Sequence, residues 1–197
     1  RKDISFDLLN EPAWIEDMNN QHSPKVLIPG DTYANLVERT AEVIWKENPD
    51  HLVIADGNQV GTKVIDGITH LPIGQSCRGY YPHIISHYKA PWAMKDIENL
   101  PSLKYPGQVG DQYLSRGMLE AFYAPWIKLV QSGTGVHCGE CGCYNKTPHD
   151  IFLAWFGDVL NTGVFLHDYN DTIYAGTMVT NQSIYYDNPV NGADLWT

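Results

Sequence analysis

Strand-like and helix-like segments alternate along this chain, a pattern that restricts it to βαβ units around a parallel sheet. The first strand-like run spans Asp3 to Glu11, where Phe6-Asp7-Leu8-Leu9 leads into Asn10-Glu11 and is stopped by Pro12. A buried parallel strand reads as a continuous apolar run, and His51-Leu52-Val53-Ile54-Ala55-Asp56-Gly57 is a second example. Tyr80 to Tyr88 is the candidate third strand and Thr134 to Glu140 the fourth. Between the first two, Asp31 stands as an N-cap before Tyr33, Leu36, Val37, Ala41, Ile44 and Trp45, which share one helical stripe ended by Asn48-Pro49. Leu119, Phe122, Trp126 and Leu129 mark another helix, one that Pro125 must kink or split. Thr147-Pro148-His149-Asp150 opens the last helix, with Thr as N-cap, Pro at the first helical position and an acid in the first turn. Ile151, Trp155, Phe156 and Val159 follow on it, whereas Pro91 to Gly110 is proline-rich and loop-like.

At 197 residues the chain has room for one domain with an appendage. It is short for a complete β/α barrel, which takes about 250 residues. No Lys, Arg or Glu occurs beyond Lys146, and the stretch after about Asn161 is rich in Thr, Asn, Asp and Tyr. Thr172 to Tyr186 alternates like exposed β structure or an irregular extension. The expected division is therefore 1–160 as a β/α unit and 161–197 as a divergent tail. A formal net charge of −10, from 13 Lys and Arg against 23 Asp and Glu, argues against nucleic acid as a partner and against an anionic membrane surface. No apolar run approaches the roughly 18 residues of a membrane-spanning helix. An opening of Arg1-Lys2-Asp3 reads as a cut boundary, so the lack of a leader there says nothing about compartment.

Two of the strand-like runs deliver a Glu to their C-terminal end, where β/α barrels carry their catalytic groups. Glu11 follows the first run, and Glu140 follows Gly135-Val136-His137-Cys138-Gly139. Two such carboxylates suit glycoside hydrolysis: one acid protonates the leaving oxygen while the other carboxylate attacks the anomeric carbon, the two lying about 5–5.5 Å apart in the retaining mechanism. The glycines beside Glu140 let substrate and backbone approach closely. A solvated Glu is the commoner occupant of a strand end, so the pairing is what gives each residue its interest. Trp14 and Trp92 follow strand ends, where loops would line a cleft, and are candidates to stack on sugar; otherwise they are partly buried loop anchors. Trp45 lies on the core stripe. Cys138, Cys141 and Cys143 with His137 have zinc-like spacing, but along a strand His137 and Cys141 point away from Cys138 and Glu140. Packed cysteines and no metal are expected, and a partner for Cys77 is not readable from the sequence.

Taken together, Phe6-Asp7-Leu8-Leu9-Asn10-Glu11-Pro12, the Leu52-Val53-Ile54-Ala55-Asp56-Gly57 strand, a His/Tyr strand and Gly139-Glu140-Cys141-Gly142 resemble the second half of glycoside hydrolase family 5. That family holds cellulases and mannanases built on an eight-stranded β/α barrel. The resemblance runs from about Ile4 to Leu160 and corresponds to the family's fourth through seventh strands. It implies an α/β fold, an incomplete (β/α) TIM-type barrel with about four to five parallel strands and flanking helices. It implies Glu11 as general acid/base, Glu140 as nucleophile, and Asn10 as the partner of the sugar 2-hydroxyl. The family's sixth strand carries a His and a Tyr beside the catalytic pair. His87 and Tyr88 are the match here, with His83 as the alternative because the family spacing is His-x-Tyr. A Tyr hydroxyl there would donate to Glu140 and keep it ionised. The implied activity is retaining hydrolysis of a β-1,4-linked polysaccharide, endoglucanase in type, with no metal or organic cofactor. An extracellular or periplasmic location suits the family.

The resemblance stops short in two places. The family's first three strands, with an Arg and a His that support the catalytic pair, have no counterpart. The family's last strand ends in a Trp, whereas Gly163-Val164-Phe165-Leu166-His167-Asp168-Tyr169 has none. A shifted or truncated coding frame is one source of such a tail. Half a barrel exposes strand edges and an apolar interior, so the chain is expected to self-associate through its open edges, or to cover the open sheet with its tail. Impaired turnover follows from the same shortfall. A non-catalytic carbohydrate-binding half-barrel is the alternative reading, and a structural fragment without ligand the third.

Overall fold

A computed structural model describes residues 4–17, 19–20, 23–162 and 185–186. Its elements are β1 (Ser5–Asp7), β2 (Trp14–Ile15), β3 (Lys25–Val26), α1 (Thr32–Glu47), β4 (Leu52–Asp56), the single turn α2 (Asn58–Gly61), β5 (Ile73–Gly79), the single turn α3 (His83–Ser86), β6 (Gly107–Val109), β7 (Gln112–Leu114), α4 (Arg116–Gln131), β8 (Val136–Cys141), β9 (Cys143–Tyr144), α5 (His149–Leu160) and β10 (Tyr185–Tyr186). Four parallel strands form the main sheet in the order β1-β4-β5-β8. Strand order follows chain order, as successive βα units require, and the arrangement is that of an incomplete (β/α) barrel. Phe6 lies opposite Val53, Val53 opposite Ile73, and Asp56 opposite Ser76. β2 with β3 and β6 with β7 form small antiparallel pairs.

The chain divides into two compact units. The first comprises Arg1–Arg78 and Pro125–Gly139. Its core joins the buried face of α1, Tyr33, Val37 and Ala41, to Val53 and Ala55 of β4, Ile65, Ile68 and Ile73. Those three helical positions recur every four residues, which keeps them on one stripe. The Tyr33 hydroxyl donates to the Asp56 carbonyl at 2.8 Å, and the Trp45 indole donates to the His51 carbonyl at 3.0 Å. Leu36, expected on the same stripe, is exposed. Asp31 precedes α1, but its side chain makes no capping bond; only its carbonyl accepts from the Asn35 amide.

The second unit comprises Gly79–Ala124 and Glu140–Thr197. Phe152, Trp155 and Val159 form the buried stripe of α5, with Phe152 in the place expected for Ile151. The Trp155 indole donates to the Tyr81 carbonyl at 2.9 Å, and the Tyr105 hydroxyl to Asp158 at 2.9 Å. Thr147 does not cap α5; its hydroxyl donates to the buried Ile85 carbonyl at 2.7 Å. α4 runs from Arg116 to Gln131 without being split at Pro125, and the division between the units falls there.

The largest departure from expectation is the third strand. Tyr80 to Tyr88 is not a strand: it holds α3 and a buried loop, and the strand is β5 just before it. β5 reads Ile-Gly-Gln-Ser-Cys-Arg-Gly, without an apolar run, yet six of its seven residues are buried. Its polar side chains find partners within the fold. Gln75 exchanges two hydrogen bonds with the Ile65 backbone, at 2.8 and 3.0 Å, and Arg78 meets Asp56. The tail expected over 161–197 lies almost wholly outside the described residues; Tyr185–Tyr186 pairs in parallel with Cys143–Tyr144.

Candidate functional site

The strand that carries Asn10 and Glu11 is shorter than its sequence suggests. After Asp7 one further ladder bond forms, from the Leu8 amide to the Ile54 carbonyl, and then the chain turns. Glu11 adopts φ 50, the left-handed region that disfavours residues other than glycine and asparagine. That conformation is held by bonds on both sides: the Glu11 amide donates to Asp56 Oδ2 at 2.8 Å, and the Pro12 carbonyl accepts from the Val60 amide at 3.0 Å. The Glu11 carboxylate, 30% exposed, lies 3.6 Å from Arg78 Nε. Asn10 is exposed, and its Oδ1 accepts from Arg78 Nη2 at 2.8 Å.

Asp56 and Arg78 are the hub of this cluster, and both were missed as functional candidates. Arg78 Nη1 donates to Asp56 Oδ1 at 3.0 Å and to Ser76 Oγ at 3.1 Å, while Nη2 bonds Asp56 Oδ2. A guanidinium presents its donors as a planar fork, which matches a carboxylate in this two-bond manner. Gly139 of β8 leaves room for the guanidinium: a Cβ there would stand 2.5 Å from both Arg78 Nη1 and Ser76 Oγ. His137, two residues earlier on β8, has its pKa lowered by burial first and by the Arg78 charge second, with Asp56 acting in the opposite sense. A signal for Asp56 existed, since it too ends a readable strand. Arg78 gave none, because β5 itself was unrecognised.

Glu140 lies at the end of β8 in the second unit. Its Oε2 accepts from the Tyr80 hydroxyl at 3.1 Å. The tyrosine that serves Glu140 in this way is thus Tyr80, one residue past the end of β5. His87 meets the Tyr80 ring edge-on at 5.4 Å and stacks on His83 at 4.0 Å, as residues one helical turn apart do. Ser86 ties the group together, donating to the Tyr80 carbonyl at 2.5 Å with its hydroxyl 2.9 Å from His87 Nδ1. Tyr88 is buried, with Lys89 Nζ 5.6 Å above its ring. Trp92 is 41% exposed and meets Tyr144 edge-on at 4.9 Å; Trp14, on β2, is 56% exposed. Cys77, Cys138, Cys141 and Cys143 are all buried, and burial pushes the Cys143 thiol up to about 12. Among the described residues, no group of three or more His, Cys, Asp or Glu is placed to hold a metal ion.

No family model and no curated protein matches the sequence. Solved structures do. A glycoside hydrolase matches at 35% identity and TM-score 0.68, over 81% of this chain and 46% of its own. An endoglucanase matches at 19% identity and TM-score 0.59, over 83% and 48% of the two chains. Subunit Z of the clostridial cellulose synthase (CcsZ) from Clostridioides difficile matches at 18% identity and TM-score 0.59, over 83% and 50%. The chain spans about half the length of the structures it matches. Its fold is glycoside hydrolase-like over about four fifths of its length, consistent with the partial family 5-like barrel read from the sequence.

Proposed function

We propose that this chain works as a glycoside hydrolase of the retaining kind, with Glu140 as nucleophile and Glu11 as general acid/base, on a β-1,4-linked polysaccharide of the cellulose class. The observation that carries the reading is the bond from the Tyr80 hydroxyl to Glu140. A hydrogen bond donated to one oxygen fixes the orientation of the carboxylate, which a nucleophile needs in order to meet the anomeric carbon. The first step forms an ester between Glu140 and the anomeric carbon while the glycosidic C–O bond breaks. The proton of Glu11 goes to the departing oxygen. In the second step water gives a proton to Glu11 and attacks the same carbon, releasing Glu140. Asn10 would steady the sugar 2-hydroxyl. His87 and Tyr88 would support the wall around Glu140, and Trp14 and Trp92, exposed as they are, would stack on neighbouring sugars. Likeness to a glycoside hydrolase at 35% identity supports a glycan as the substrate class.

A second reading keeps the sugar surface without turnover, as a carbohydrate-binding half-barrel. What favours it is the exposure of Trp14 and Trp92, whose rings are open to stack on a sugar whether or not turnover follows. One experiment separates the two. Hydrolysis of a soluble β-glucan and affinity for its oligosaccharides are measured for the native chain, Glu140→Ala and Glu11→Gln. Turnover that disappears with Glu140→Ala and drops about 10²- to 10⁴-fold with Glu11→Gln supports the enzyme. Binding without turnover, little changed by either substitution, supports the module. Neither binding nor turnover overturns both.

A further inference from the structure

Arg78 does more than satisfy a buried acid. Its side chain is 3% exposed, and its donors are shared between Asp56, Ser76 and Asn10, with Glu11 3.6 Å from Nε. Asp56 in turn accepts the Glu11 amide. The ion pair therefore reaches the Asn10-Glu11 turn by two independent routes, one through a side chain and one through the backbone. A guanidinium only donates. The atom that Asn10 turns toward it must be Oδ1, so the amide hydrogens of Nδ2 point away from the guanidinium. A terminal amide is otherwise free to adopt two orientations of similar energy. Gly139 leaves the room in which Nη1 and Ser76 Oγ sit, since a Cβ there would stand 2.5 Å from both.

We infer that Arg78 is a positioning residue: anchored by Asp56, it fixes the Asn10 carboxamide with Oδ1 on the guanidinium and the Nδ2 donors directed away from it, and it holds the Glu11 turn in place. The inference rests on the proposed function only for its ligand, a sugar whose hydroxyl oxygen accepts that donor. A Lys at position 78 would keep the charge but, as a point donor, could not grip the carboxylate and Asn10 together.

The test uses two substitutions on the full chain. In Asn10→Asp, a change at an exposed residue, the new carboxylate meets Arg78 but has no donor at neutral pH. The expected result is a melting temperature equal to or above the native one at pH 7, with affinity for cellotetraose reduced at least about tenfold, the size of one hydrogen bond to a charged or well-ordered group. If Arg78 did not face position 10, a third carboxylate beside Asp56 and Glu11 would lower the melting temperature, and that result overturns the inference. Native-like cellotetraose binding by Asn10→Asp overturns the donor assignment. In Arg78→Lys, the side-chain amide signals of Asn10 and the backbone amide signal of Glu11 are expected to move in NMR spectra while α1 core signals stay in place; unmoved Asn10 signals overturn the inference. Should the native chain bind no cellotetraose, the proposed function fails, and the melting and NMR measurements still decide the role of Arg78. Should Arg78→Lys fail to fold, the Asn10→Asp melting comparison decides it.

Discussion

Asp56 and Arg78 are buried where neither charge is tolerable alone, since each would face a desolvation cost of several kcal/mol without its partner. Their pairing explains why a sequence scan finds Glu11 and passes over the residues that hold it. Glu11 and Glu140 are legible because each is an acid at a strand end, flanked by proline or glycine. Arg78 sits among Ser, Cys and Gly, a setting that looks like loop and acquires its meaning only when Asp56 arrives from another strand. The tyrosine beside Glu140 was legible as a residue type but not as a position, because Tyr80, Tyr81 and Tyr88 lie close together in sequence. A pH dependence enters through His137, chiefly from its burial. Burial and the Arg78 cation hold its folded pKa below the ordinary imidazole value of about 6.5. Above that value the imidazole is neutral in both states and costs nothing. As pH falls through it, the unfolded chain takes up a proton before the folded one does, so stability falls with falling pH until the folded pKa is passed. His137→Gln should therefore flatten the loss of stability between pH 7 and pH 5, read as the shift of the urea midpoint. An equal shift in the native and substituted chains would remove His137 from the account.

At the scale of elements, legibility followed apolar content. Leu52–Asp56 and Val136–Cys141 could be read as strands because Val, Ile and Leu or a Val-His-Cys run marks them, and α1 and α5 because their buried residues keep a helical period. β5 could not, because its interior carries Gln75, Ser76 and Arg78, whose burial depends on partners supplied by the Ile65 backbone, by Asp56 and by Asn10. The apolar His83-Ile84-Ile85 stretch, conversely, has strand-like composition but folds as a single turn in which Ile85 is buried. Asp31 and Thr147 had the composition of caps without making the bonds. The close approach of β8 to the side chains of β5 gives a direct test. The Cβ of Gly139→Ala would fall 2.5 Å from a guanidinium nitrogen that Asp56 holds in place, so the neighbouring group cannot simply swing aside. Overpacking of this kind costs about 1–3 kcal/mol. We expect Gly139→Ala to lose that much in urea unfolding, whereas Gly110→Ala, where an added Cβ meets nothing within 4 Å but φ is +56, should lose only about 1 kcal/mol from backbone strain. A loss at Gly139 no greater than at Gly110 would show that the guanidinium seat is softer than its bonds suggest.

At the scale of the whole chain, the two ends of the sheet differ in how they are finished. β8 is mostly buried, and its successor β9 pairs with Tyr185–Tyr186. Among the described residues β1 is the opposite edge, all three of its residues are exposed, and Ile4, Phe6, Leu9 and Leu52 present apolar side chains around it. An exposed apolar edge strand is a template for pairing with another strand. We propose that the chain self-associates there. The net charge of −10 opposes the approach of two copies, and salt screens that repulsion over about 10 Å at 0.1 M. Association should therefore strengthen from low salt to about 0.5 M NaCl, the reverse of what an interface built on ion pairs would do. Light scattering across that range should show the mass of the native chain rising with salt and with concentration. Phe6→Lys places a charge on the edge in the way natural sheets blunt such strands, and should hold the chain at monomer mass under the same conditions. Phe6 is exposed, so the substitution leaves the core intact, and an unchanged circular dichroism spectrum would verify this. A native chain that stays monomeric at every salt concentration would mean that the edge is already protected, and the self-association proposal would be abandoned.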